Sequence, residues 1–156
     1  MPLWFPDPLP GGWQLTGLAA VGDTRSRFRA TVAAFCGPAP LGGEGEWLFV
    51  AEEPGIGLGA GYAGVDPTRT ADADDLPSAK VGVRGHPLPV WPVPDSTPDR
   101  SAYRGEAAGV WLWLIGHPSD AGYAVLDDLG VTDLAARTIP AVDTNQRSRR
   151  LRPGVR

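Results

Sequence analysis

Trp47-Leu48-Phe49-Val50-Ala51-Glu52-Glu53-Pro54-Gly55-Ile56-Gly57-Leu58-Gly59-Ala60-Gly61-Tyr62-Ala63-Gly64 is the stretch from which the rest of the chain is best read. Its first five residues are continuously apolar and rich in strand formers, as in a strand covered on both faces. Two carboxylates close that strand. Pro54 breaks the chain, and five glycines follow between Gly55 and Gly64. Such density marks backbone in unusual dihedrals, or backbone that something approaches closely.

Strands flank this stretch on both sides. Trp13 to Val21 reads as one, and Gly22-Asp23-Thr24-Arg25-Ser26 turns the chain. From Arg27 to Phe35, Phe28, Ala30, Val32 and Ala34 alternate with Arg27, Arg29 and Thr31, which gives one wet face. With Trp47–Ala51 these segments predict an antiparallel meander. Further on, Val110-Trp111-Leu112-Trp113-Leu114-Ile115 is apolar on both faces and predicts a covered central strand. Ala79 to Arg84 and Tyr103 to Glu106 read as shorter strands. His86 to Pro98 carries five prolines and should run extended near a sheet edge. Tyr123 to Leu126 is expected to pair back as a strand, and Val131 to Arg137 to form a short helix.

The 156 residues can bury a sizeable core, with six Trp, three Tyr and four Phe to fill it. Gly 21 and Pro 17 favour short strands and turns over helix. Charge is uneven. Arg147, Arg149, Arg150, Arg152 and Arg156 fall in the last twelve residues, which contain no acid. The remainder holds 9 basic and 18 acidic residues, which argues against nucleic-acid binding by the folded body. Cys36 is alone, so neither a disulfide nor a Cys-based zinc site forms within one chain. The first residues lack the basic and apolar regions of a signal peptide, and no run reaches membrane-span length. A cytoplasmic protein is the expectation.

Gly59-Ala60-Gly61-Tyr62-Ala63-Gly64 matches the pattern G-x-G-x-x-G. The dinucleotide fingerprint needs a strand that ends at the first glycine and a helix that starts at the last. Here Glu52-Glu53-Pro54-Gly55 intervenes, and Pro67 disfavours the helix. Two carboxylates beside the glycines would repel a pyrophosphate. The segment therefore predicts a glycine-rich connection that crosses the sheet or packs under an aromatic ring, and no nucleotide cofactor. Glu52 and Glu53 are adjacent, so on a strand they point to opposite faces and form no ready dyad. His86 and His117 lack zinc spacing and read as loop imidazoles. Ser101, Ser119 and Cys36 have no readable base partner. Trp111 and Trp113 read as core. Trp91, between prolines, reads equally as a core lid or a binding platform.

Several blocks carry a family resemblance. They are Pro2-Leu3-Trp4-Phe5-Pro6-Asp7-Pro8-Leu9-Pro10-Gly11-Gly12-Trp13, Gly37-Pro38-Ala39-Pro40-Leu41-Gly42-Gly43, Val50 to Gly59, Gly85-His86-Pro87, Asp99 to Ala107 and Trp111-Leu112-Trp113. Together, over residues 2–137, they resemble an uncharacterised actinobacterial family, a domain of unknown function. The resemblance implies no activity. It does imply a Cys-rich, zinc-ribbon-like segment ahead of the domain in family members, and this chain is expected to start after it. It also implies a tail that leaves the family pattern near Arg137.

The expected fold is α+β, mainly β: one antiparallel sheet of about five to seven strands, with sparse helix and long Gly/Pro-rich loops. Residues 1–137 form the expected domain, opened by an extended arm over 1–12, and 138–156 an Arg-rich disordered tail. The first functional expectation is a non-enzymatic cytoplasmic module that binds a protein or a small molecule. Its surface would combine Glu52, Glu53, Gly57, Gly59 and Tyr62 with Trp91, Tyr103 and Glu106. The second is a small enzyme using Glu52, Glu53 or Glu106 with a loop histidine as acid and base. No metal, cofactor or membrane span is expected.

Overall fold

The computed structural model describes residues 1–23, 27–68, 76–77, 79–126, 129–134 and 150–151. Along the chain the strands are β1 (Trp4–Pro6), β2 (Gln14–Asp23), β3 (Arg27–Pro38), β4 (Glu44–Glu52), β5 (Ala79–Val83), β6 (His86–Pro92), β7 (Ser101–Ala107), β8 (Val110–His117) and β9 (Gly130–Asp133). A six-residue helix, α1 (Leu58–Ala63), follows β4, and a 3-10 helix spans Ser119–Leu126. The strands form one sheet in the order β1-β9-β5-β6-β7-β8-β4-β3-β2. Every pairing is antiparallel except β5 with β9, which is parallel. The sheet curls into a half-barrel, which presses β1 against β3 and β4. A Thr31 hydroxyl bond to the Pro2 carbonyl, 2.5 Å long, ties the two across the curl.

The doubly apolar run is the reason for two cores. Leu112 and Leu114 of β8 face into the curl with Trp4, Leu15, Phe35, Phe49, Val131 and Leu134. Phe35 and Phe49 meet edge to face there, 5.4 Å apart. Trp113 and Ile115 face outward with Val32, Ala34, Leu48 and Val50, and α1 covers them with Ala60 and Ala63. Each such aliphatic side chain taken wholly out of water stabilises the fold by about 1.5–3 kcal/mol. The outer face is the one that carries the site.

Several expectations need correction. The sheet has nine strands rather than five to seven, and it is mixed rather than purely antiparallel. The two additional elements are the shortest. Trp4–Pro6, expected as part of an extended arm, pairs with Val131–Asp133, expected as helix. Three and four residues are too few to show a period, and their partners lie more than a hundred residues apart in the chain. Ser119–Leu126 forms a 3-10 helix where a returning strand is expected from the sequence. The proline-rich strand β6 is interior, between β5 and β7. Alternation lets His86, Leu88 and Val90 serve β5. Pro87 and Pro89 then turn their missing donors toward β7, which pairs only at Trp91 and Pro92. Most of the Arg-rich segment 138–156 lies outside the described residues. Arg150 and Leu151 are described. The Arg150 guanidinium is 3.3 Å from the Glu46 carboxylate, and Leu151 packs on the outer core.

Candidate functional site

Glu52 ends β4 on the outer face, in register with Trp111 of β8. Just beyond it the chain turns away from the sheet and returns as α1. Gly57 caps that helix in the left-handed region, φ 78°, a conformation that costs glycine nothing. The first donors of α1 then meet Glu52: its Oε2 accepts from Leu58 N at 2.6 Å and Gly59 N at 3.3 Å. A buried carboxylate thus occupies the helix start, where orphan N–H groups favour negative charge. These are the donors that a phosphate would need. Gly59 is there for space, since a Cβ would lie 2.3 Å from the Trp113 ring. The expectation of a glycine-rich segment under an aromatic ring therefore holds, but its centre is a helix rather than a loop.

On the other side of Trp113 lies Arg104 of β7, its cross-strand partner. The Arg104 guanidinium sits over the Trp111 ring, 4.5 Å from its centroid, and 5.5 Å from that of Trp113. Between this platform, α1 and the turn after β6 opens a groove of about 640 Å3. Glu52, Arg104, Trp111 and Trp113 form its floor. Ile56, Gly57, Val65 and Pro67 form one wall, and Trp91, Pro92, Val93 and Pro94 the other. Its volume and aromatic lining fall in the range of small-molecule sites.

The electrostatics follow from burial. Glu52 is 2% exposed, and desolvation pushes its carboxyl above the usual range. The two α1 N–H groups and the Arg104 charge act the other way. Trp113 does so only as a nearby dipole, because its buried indole nitrogen makes no hydrogen bond. Burial also lowers the Arg104 guanidinium, and Glu52 partly offsets this. Arg104 nevertheless stays cationic across the physiological range.

The structure gathers some expected site residues and separates others. Glu52, Gly57 and Trp91 line the groove, and Gly59 lies behind it against Trp113. Glu53 points away and pairs with Arg27 and Arg29. Tyr62 is half-buried, packs on the outer core, and its carbonyl accepts from Arg100. Tyr103 is on the inner face, where it packs on that core and lines a separate shallow concavity with Ser101, Asp120 and Tyr123. Glu106 is exposed at the end of β7, outside the groove lining. Sequence reasoning misses Arg104. Its signal is alternation, since Ala102, Arg104 and Glu106 must share the face opposite Tyr103.

Neither histidine joins the groove. His86 is exposed at a turn. His117 is buried at the far end of β8, six residues from Trp111 and about 20 Å along the strand. It continues a row with Cys36 and Glu46 across β3 and β4. Burial lowers its imidazole to about 4, helped by Arg150 and Arg100 and opposed by Asp99. Burial also pushes the Cys36 thiol up, against its contact with Thr16, which is the reverse of an activated nucleophile. No group of three or more His, Cys, Asp or Glu among the described residues is placed to hold a metal. No described helix is long and apolar enough to cross a membrane.

The chain belongs to a family of unknown function, DUF6758, whose pattern matches residues 1–145 and so runs past Arg137. No curated protein and no solved structure matches it.

Proposed function

We propose that this chain is a non-enzymatic cytoplasmic binding module whose ligand seats in the groove between α1 and the outer face of β6, β7 and β8. The observation that carries this reading is the platform of Arg104 over Trp111 and Trp113, flanked by Trp91 and open to a cavity of about 640 Å3. Large aromatic surfaces left in a concavity, with one charged group among them, are the usual make-up of a ligand site. The acid–base alternative has its carboxyl in place, since Glu52 is buried with a raised pKa. It lacks the imidazole, because the groove lining holds no histidine. A carboxyl whose oxygen already caps a helix is also poorly free to move a proton.

A fragment screen read by the indole N–H signals of the 15N-labelled protein tests this. Hits should shift Trp91, Trp111 and Trp113 together. Trp91→Ala should weaken them, with a melting curve of the variant confirming that it is folded. Hits that map elsewhere, or a screen with none, would remove the groove from consideration.

A further inference from the structure

The groove's charges are unequally engaged, and this points to the chemistry of its occupant. Among the described residues three acids line it, Glu52, Asp66 and Asp95. Glu52 spends Oε2 on two helix N–H groups. Asp66 accepts from the Thr68 backbone at 2.9 Å and from its hydroxyl at 2.7 Å. Asp95 also has a partner within the chain. Arg104 differs. It stacks on two indoles, and among the described residues it makes no hydrogen bond or ion pair. A guanidinium carries five N–H donors in its own plane, and contact with the indole faces supplies none of them with a conventional acceptor. Two indoles also hold the fork in one orientation, so little side-chain entropy is lost when it binds.

We infer that the groove takes a small ligand with a single carboxylate on a planar apolar body. The carboxylate would be held by the Arg104 fork, and the body would lie between the Trp91–Pro94 wall and the wall of Ile56, Val65 and Pro67. This rests on the groove being the binding site. A bidentate carboxylate matches the fork in geometry and charge. A second negative charge finds no second cation among the described residues, where Arg104 is the one basic residue in the lining. It would meet Glu52, Asp66 and Asp95 instead. Di- and polyphosphates are therefore disfavoured, and the occupant is a monoanion. An apolar body suits the facing side chains of Ile56, Val65 and Pro67 on one wall and Trp91, Val93 and Pro94 on the other.

The test uses the full chain, 15N-labelled, with three probes of one shape: naphthylacetate, its neutral amide and naphthyl phosphate. Naphthylacetate should shift the Trp91, Trp111 and Trp113 indole signals in a saturable way. The amide should bind about tenfold more weakly or worse, as expected when a charge-assisted pair is lost. The phosphate should also bind more weakly than the carboxylate. Arg104→Gln should bring the acid and the amide to the same affinity. Equal binding of acid and amide to the wild-type groove would overturn the carboxylate inference and leave the groove itself standing. Tighter binding of the phosphate would overturn the monoanion. Failure of naphthylacetate at millimolar concentration would overturn the inference as well. The groove reading would fall with it only if the fragment screen were also empty.

Discussion

Gly59→Ala and Gly61→Ala are the same substitution, two residues apart in one short helix, and they should act with opposite signs. Intrinsic propensity favours alanine at both places by about 0.8–1 kcal/mol. At Gly61 nothing lies within 4 Å of the position that the new methyl would take, so the gain should survive. At Gly59 the methyl would lie 2.3 Å from the Trp113 ring. Carbon atoms in contact sit roughly 3.5–4.0 Å apart, so something must give by more than an ångström. Trp113 is 4% exposed and fixed between its strand neighbours, so α1 has to lift. Overpacking of this kind costs about 1–3 kcal/mol. Lifting α1 also pulls Leu58 N and Gly59 N from Glu52 and leaves a buried carboxyl short of partners, a further ~1–3 kcal/mol. Gly59→Ala should therefore destabilise by about 1–5 kcal/mol net of propensity, and Gly61→Ala should stabilise by up to about 1 kcal/mol. Urea unfolding with a common slope would read both as midpoint shifts. A neutral Gly59→Ala, or two shifts of the same sign, would refute the packing of α1 on Trp113.

Other consequences are as direct. Trp113→Ala should cost about 3–5 kcal/mol in chemical unfolding, and Trp111→Ala clearly less because that ring is half-exposed; the reverse order would contradict the groove assignment. His117 is held neutral with its pKa lowered from 6.5 to about 4, so the stability that this contributes is present above 6.5 and lost as pH falls toward 4. At 1.36 kcal/mol per unit the loss reaches about 3 kcal/mol, and His117→Asn should flatten that part of a stability–pH curve. Glu52 has the opposite sign: its folded pKa is raised, so the folded state holds the proton more tightly, and stability falls as pH rises above 4.5 through the folded value. Glu52→Gln keeps an acceptor for α1 and should remove that decline; an unchanged slope would mean that Glu52 is not buried as described.

Much of the fold is open to a reader of the sequence, for physical reasons. β4 and β8 are continuous apolar runs long enough to need cover on both faces. β3 is legible as a strand, but its expected wet face is buried from Thr31 onward, because Ala33 and Phe35 join the inner core, while Phe28 on the expected dry face is exposed. Period and composition are local properties, and these strands satisfy them locally. β1 and β9 do not. Trp4 is 1% exposed because it is roofed inside the curl, and nothing in Trp4-Phe5-Pro6 announces that its partner is Val131–Asp133. The six-residue α1 is hidden for another reason. Leu58–Ala63 contains two glycines and is too short to be helical alone. It exists because Glu52 caps it and Trp113 supports it, and both are tertiary facts.

The same division governs the site. Glu52, Gly57, Gly59 and Trp91 are legible because glycine density, an adjacent acid pair and a tryptophan among prolines are unusual in themselves. Glu53 stands out with Glu52, although strand geometry alone sends the two apart, and the structure does so. Tyr103 draws the eye and Arg104 does not, because an aromatic is more conspicuous than an arginine. Only the β7–β8 register places Arg104 opposite Trp113 and so makes its charge interesting. An exposed arginine on an ordinary strand is a solvated side chain. The same residue, over two indoles beside a buried carboxyl and without a hydrogen-bond acceptor of its own among the described residues, is the group on which the proposed carboxylate site turns. Removing that charge should separate the two roles of the residue. Arg104→Met keeps an apolar stem over Trp111 and so should leave the unfolding midpoint within about 0.5 kcal/mol of the parent, while anion binding in the groove is lost. A variant that melts early and still binds naphthylacetate would show that Arg104 is only a structural lid on the two indoles.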